Sequence, residues 1–266
     1  MNRSIGTSKT LIIDFLLFLG FGVIAIAITI IGMSAFPGNN LFPVLMRLII
    51  ILFILVVSFY VNYKLSRKNL LNYEILHFKT SLIKYYLGGI VLGCLLIATI
   101  WTIVYFVYPF EIVKNVHSKS DLVPDLVITY VLGNTLEELL FRGFLLLASI
   151  KLFGRIGGVI LVSLLFGLFH LQGAGLSMVV TTFTMSLLFI AVIFYTGSIW
   201  TAVTFHITGN FLLHTLGFDG ASNGMFQIKI LASNYNGLFI TLILEIVVIS
   251  FALVIYLGSK KRIKMT

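Results

Sequence analysis

Long apolar runs alternate along the chain with short polar breaks. The runs lie at about 11–33, 43–64, 84–108, 125–150, 155–172, 177–196, 198–216 and 237–258. Each is close to the roughly 20 residues that a helix needs to cross the hydrocarbon core of a bilayer. A helix is the structure such a run must adopt in lipid, because every backbone N–H and C=O has to find its partner within the segment. The pattern predicts an all-α fold, a polytopic transmembrane helix bundle of about eight spans. No internal repeat and no Ser/Pro-rich linker divides the sequence, so residues 1–266 are read as a single membrane domain. The first run follows Arg3 and Lys9, as in a signal peptide. It is longer than a signal h-region and is not followed by a clear A-x-A cleavage site, so it is read as a membrane helix.

Composition strengthens this picture. Hydrophobic residues make up 59% of the chain and charged residues 10%, against about 25% charged in soluble domains. The net charge of +9 invites a nucleic-acid reading, but the basic residues flank apolar runs and form no patch among aromatics. They read as topology signals at an anionic membrane surface. Arg3 and Lys9, then Lys64, Arg67, Lys68, Lys79 and Lys84, then Lys151 and Arg155, and finally Lys260, Lys261, Arg262 and Lys264 all fall on one side of an eight-span arrangement. The intervening segments 34–42 and 173–176 carry no charge, and 109–124 and 217–236 are weakly charged or mixed. The expectation is a multi-pass protein of the cell membrane with both termini cytoplasmic. Segment 65–83 reads either as an amphipathic surface helix or as a solvated loop. Cys94, the single cysteine, reads as a small buried hydrophobe.

Against this apolar background a few polar groups stand at membrane depth, where charge costs several kcal/mol and is usually turned inward for a function. The fourth run contains Asn134-Thr135-Leu136-Glu137-Glu138-Leu139-Leu140-Phe141-Arg142, the fifth ends Phe166-Gly167-Leu168-Phe169-His170, and the seventh holds His206-Ile207-Thr208-Gly209-Asn210. Glu138 and Arg142 are four residues apart, on one helix face, in the better order for an ion pair. Glu137 is rotated about 100° away and has no partner on its own helix, which makes it a candidate general base. His206 and Asn210 are also four apart and can point hydrogen-bond donors at one oxygen, as an oxyanion hole requires. His214 continues that stripe and is expected at the polar outer boundary. Gly167 and Gly209 read as helix-packing glycines. Asp14 and Arg47 sit near helix ends within reach of the interface, and Glu245, deeper in the last run, is expected to make a structural hydrogen bond. If the helices run straight, His170 lies near one membrane face and His206 toward the other. Tilting, a shifted boundary or a re-entrant segment near 172–180 would bring them together.

These three motifs, EExxxR, FxxxH and HxxxN, complete and in order, resemble those of the CPBP group, the CAAX prenyl protease and bacteriocin-processing intramembrane proteins also called the Abi family. The resemblance covers about 125–215, the core that carries the motifs. It implies an intramembrane endopeptidase acting on a membrane-associated peptide or protein. Glu137 and His170 would hold and deprotonate a water, His206 and Asn210 would stabilise the tetrahedral oxygen, and Glu138 and Arg142 would support the site. No cofactor is obligatory in this reading. Family members are also labelled metalloproteases, and the alternative zinc ligands would be Glu137, His170 and His206. Two other readings compete: a non-proteolytic bacteriocin-immunity or self-protection protein, and a small transporter using Glu137 and the histidines as a proton relay, which the lack of a repeat disfavours. The partners expected are membrane lipid and a peptide substrate, with no nucleic acid.

Overall fold

The computed structural model describes residues 3–38, 40–71, 83–115, 126–171, 175–217, 224–231 and 237–259. Helices α1 (Arg3–Ala35), α2 (Leu41–Lys68) and α3 (Ile83–Val107) come first. A π-helical segment, Leu126–Gly133, leads into α4 (Asn134–Arg142), followed by α5 (Phe144–Phe169), α6 (Leu176–Thr196), α7 (Ile199–Thr215) and α8 (Gly237–Ser259). Six stretches among the described residues are long and apolar enough to cross a membrane, and one of these, Val127–Phe169, is 43 residues long and contains both the fourth and fifth apolar runs. The chain is a multi-pass helical membrane protein. All eight expected runs are helical in their described parts, but the fourth is not one helix.

The fourth run is interrupted at Gly143, where φ is −78° and ψ −124°. A β-carbon on Gly143 would stand against the side chain of Asn62 and the carbonyl of Leu139. Asn62, buried on α2, fills the break: its Oδ1 accepts the N–H of Phe144 at 2.6 Å, and its Nδ2 donates to the Ser58 carbonyl at 2.8 Å. A second bend follows at Gly154, whose φ of 74° and ψ of 169° suit a residue without a β-carbon.

α4 is the centre of the bundle. It packs on α2, α5 and α7, and Asn134, Leu136, Glu138, Leu139, Leu140, Phe141 and Arg142 are all buried. α3 lies along α7, with α6 and α8 completing that half, while α1 and α2 flank α5. The α3–α7 contact is close because Gly89 and Gly93 stand in a small-xxx-small pattern against Thr201, Thr204 and Thr208. The buried stripe of α3 runs Gly89, Gly93, Leu96, Ile97, Ile100 and Val104. Cys94 falls off that stripe, so it is exposed and not buried as expected. The outward faces are apolar: Ile12, Ile13, Leu16 and Leu17 on α1 are exposed, while Leu11, Phe15 and Phe18 are buried. In lipid such a face needs no protein cover.

The segments expected as plain loops at 109–124 and 217–236 contain two strands, β1 (Phe110–Lys114) and β2 (Phe226–Ile230). They pair antiparallel with Glu111 opposite Lys229 and Ile112 opposite Ile228. Asn115 extends the ribbon, its backbone N–H donating to Met225 O at 3.0 Å and its Nδ2 to Gly224 O at 2.8 Å.

The other intramembrane charges also find partners. Asp14, buried on α1, accepts from Lys68 Nζ at 2.7 Å and Asn69 Nδ2 at 2.8 Å. It therefore pairs with the end of α2. Lys151 donates to the Asn69 carbonyl at 2.8 Å. Arg47 donates to Gly38 O at 3.0 Å. Glu245 makes the expected structural contacts, accepting from the hydroxyls of Thr181, at 2.7 Å, and Thr184. Most of segment 65–83, the basic C-terminal residues from Lys260, and the start of the proposed re-entrant segment at 172–174 lie outside the described residues.

Candidate active site

Three helices bring the polar motifs together. On α4, Glu138 and Arg142 form the ion pair predicted from their spacing, Arg142 Nη1 donating to Glu138 Oε1 at 3.1 Å, with both side chains fully buried. The same carboxylate oxygen lies 2.9 Å from His206 Nδ1 on α7. Because that oxygen already accepts from a guanidinium and is a carboxylate, His206 Nδ1 is the donor. Its Nε2 is left for the cavity. The guanidinium of Arg142 stacks on aromatic faces, 4.0 Å from the centroid of Phe166 and 5.2 Å from that of Phe189. Phe189 in turn stacks on the His206 ring at 4.6 Å and an interplanar angle of 29°. Phe166 and Phe189 thus clamp the charged network by cation–π contact and packing.

Glu137 points elsewhere, as its rotation on the helix requires. Its Oε2 lies 3.9 Å from His170 Nε2, and both side chains are about a quarter exposed. That oxygen is itself buried and has no hydrogen-bond partner among the described residues. His170 caps the end of α5, and its Nδ1 lies 2.8 Å from the Phe166 carbonyl. A carbonyl can only accept, so Nδ1 carries a hydrogen, and Nε2 is turned toward Glu137.

Asn210 lies one turn beyond His206, and its Nδ2 donates to Asn134 Oδ1 at 3.3 Å. Asn134 is the residue that the sequence reading passed over. It is buried at the first position of α4 and fixes the orientation of the Asn210 amide, whose second N–H remains for another acceptor. The signal was present, since Asn134 opens the quoted motif segment.

His170, His206 and Asn210 all line one cavity of about 350 Å³. Phe166 lies next to both histidine rings, its centroid 4.6 Å from that of His170 and 6.2 Å from that of His206. The remaining walls are mainly apolar and include Ile97 and Ile100 of α3, Met178 and Met185 of α6, and Leu244 of α8. Gly167 is a packing glycine, as expected: a β-carbon there would stand only 2.7 Å from the carbonyl oxygen of Val179. Gly209 is not. A β-carbon there would meet nothing within 4 Å, because Gly209 lines the cavity. His214, expected at the outer boundary, is buried beside Tyr130, with ring centroids 5.3 Å apart, and its backbone carbonyl faces the chain at Gly224.

The donor set bears on the zinc alternative. Among the described residues no three His, Cys, Asp or Glu side chains converge on one ion position. Glu137 and His170 form one pair, while His206 is turned to Glu138, which Arg142 already neutralises. These residues as placed do not fit a three-ligand centre.

Residues 119–212 match the family model described as type II CAAX prenyl endopeptidase Rce1-like. No curated protein matches the chain. The matched residues take in Glu137, Glu138, Arg142, His170, His206 and Asn210. The segment that builds the intramembrane site is therefore the part of the chain that is similar to this family.

Proposed function

We propose that this protein is a glutamate-type intramembrane endopeptidase that hydrolyses a peptide bond of a membrane-associated peptide or protein. The observation that carries this reading is the Glu137–His170 pair, 3.9 Å apart, next to a cavity also lined by His206 and Asn210. Two groups at that separation can both reach one water at about 2.8 Å. The Glu137 carboxylate and the His170 Nε2 lone pair are both acceptors, so together they orient the water and take its proton as it attacks the scissile carbonyl. The carbonyl π electrons move onto oxygen, and the free N–H of Asn210 donates to that oxyanion. His206 Nε2 can join it only when the ring is doubly protonated, since Nδ1–H is committed to Glu138. The proton taken from water is then returned to the leaving amine as the C–N bond breaks. Glu138 and Arg142 touch neither water nor substrate in this scheme. They hold His206. The apolar walls suit a hydrophobic stretch of substrate.

Glu137→Gln keeps the shape and removes the base. Cleavage of peptides by the purified protein in liposomes should fall about 10²–10⁴-fold, the usual size of a general-base contribution. Retention of wild-type cleavage in Glu137→Gln would reject the assignment. A chelator added to the wild type should leave the rate unchanged, whereas loss of activity restored by zinc would favour the metal reading. The runner-up is a non-proteolytic immunity or self-protection protein. It predicts that protection of cells against a peptide toxin persists in Glu137→Gln.

A further inference from the structure

On the far side of α6 from the site lies a second cavity of about 400 Å³, open along the bundle surface between α5, α6 and α8. Its walls are aliphatic, including Val159, Ile160, Leu187, Ile190, Ile249 and Leu253. At one end stands Arg155. Its guanidinium lies 4.4 Å from the ring centroid of Phe194 and 5.4 Å from that of Tyr256. Its Nε and Nη2 are buried and have no hydrogen-bond acceptor among the described residues. A guanidinium with inward donors left unmet is costly unless an acceptor comes from outside the chain. Arg155, Phe194 and Tyr256 also share a level: the Gly154 bend precedes Arg155, and Phe194 and Tyr256 lie close to the ends of α6 and α8. Lys151, on the other side of the Gly154 bend from Arg155, reaches Asn69 beyond the end of α2, so we take this level as that of the head groups and the aliphatic part as deeper. From Phe194 down to Leu187 the groove descends about 10 Å at 1.5 Å per residue.

We propose that this groove is a binding site for an anionic phospholipid, the phosphate accepted by Arg155 and one acyl chain laid along α6 and α8. The guanidinium supplies forked donors for phosphate oxygens, the two rings hold it in place, and the groove below is apolar where the chain must lie. A zwitterionic lipid offers the same phosphate but carries its own ammonium, so selectivity for the anionic head group distinguishes a built site from general wetting by lipid.

The full-length protein in detergent would be exposed to phosphatidylglycerol and phosphatidylcholine in equal amounts, and lipid retained through gel filtration would be read by native mass spectrometry. The wild type should retain phosphatidylglycerol about fivefold or more over phosphatidylcholine, the size expected for one Arg at a head-group surface. Arg155→Gln should abolish that preference. Ala252→Phe, which fills the groove and leaves Arg155 in place, should lower retention of both lipids, and it keeps the test decisive if Arg155→Gln does not fold. Equal retention of the two lipids by the wild type, an unchanged preference in Arg155→Gln, or unchanged retention in Ala252→Phe would overturn the proposal. So would inorganic phosphate competing as well as the lipid, because that would make the groove irrelevant. The readout is bound lipid, so it is independent of peptide cleavage.

Discussion

Arg142 is the side chain on which the rest of the site leans. It is fully buried and gives charge to Glu138, and Glu138 in turn orients His206. Removing one partner of a buried ion pair costs about 3–5 kcal/mol because the other charge is left unmatched. Arg142→Met should therefore lose stability on that order, read as a large drop in the unfolding temperature of the detergent-solubilised protein. Arg142→Lys should recover only part of it, since an ammonium cannot stack flat on Phe166 as the guanidinium does at 4.0 Å. Wild-type stability in Arg142→Met would mean the pair is not what holds the helices. Gly209 poses the opposite case, a position where the fold tolerates a side chain and the cavity does not. Gly209→Ala should cleave peptides nearly as the wild type does. Gly209→Phe should raise KM by about tenfold or more, from the roughly 1–3 kcal/mol of forcing bulk into space another group must occupy, with the unfolding temperature little changed.

At the scale of elements, the position of each motif was legible because helical spacing alone decides which residues share a face. Glu138 and Arg142, and likewise His206 and Asn210, follow from four-residue spacing, and the divergence of Glu137 follows from one residue more. The break at Gly143 was not legible. Nothing in an apolar run marks a glycine as a turn and not a packing contact, and the partner that makes the break tolerable, Asn62, lies on α2, 82 residues away. Its energetic role can be measured. Asn62→Ala would leave the Phe144 N–H buried without an acceptor, a cost of about 1–3 kcal/mol. Because α4 would then lose its fixed angle to α5, activity should fall along with stability. Gly143→Ala should do the same from the other side of the contact, since its β-carbon would press on the Asn62 side chain. The π-helical segment before α4 was hidden for a related reason: Leu126–Gly133 is mostly apolar, and hydropathy does not report how tightly a helix is wound.

For the whole molecule, the ribbon adds a constraint that loop charges could not supply. β2 alternates Phe226, Gln227, Ile228, Lys229 and Ile230, a period-2 pattern, yet among long apolar runs it reads as connection. Its pairing with β1 requires the segments after α3 and after α7 to lie on the same face of the membrane. At another end of the bundle Asp14 of α1, Lys68 at the end of α2 with Asn69 just after it, and Lys151 of α5 are joined by hydrogen bonds, so these segments share a face too. Both groupings agree with the arrangement read from Lys and Arg, in which the second face is cytoplasmic. In a Cys94→Ser background, Glu111→Cys with Lys229→Cys should form a disulfide, because directly paired residues of antiparallel strands have Cα atoms about 4.5–5.5 Å apart, inside the disulfide range. Glu111→Cys with Ile230→Cys should not, since a shift of one residue puts the thiols on opposite faces of the ribbon. A membrane-impermeant maleimide applied to intact cells should label Glu111→Cys and leave Lys151→Cys untouched. The reverse labelling would invert the topology, and crosslinking of both cysteine pairs alike would show that the two strands are not held in this register.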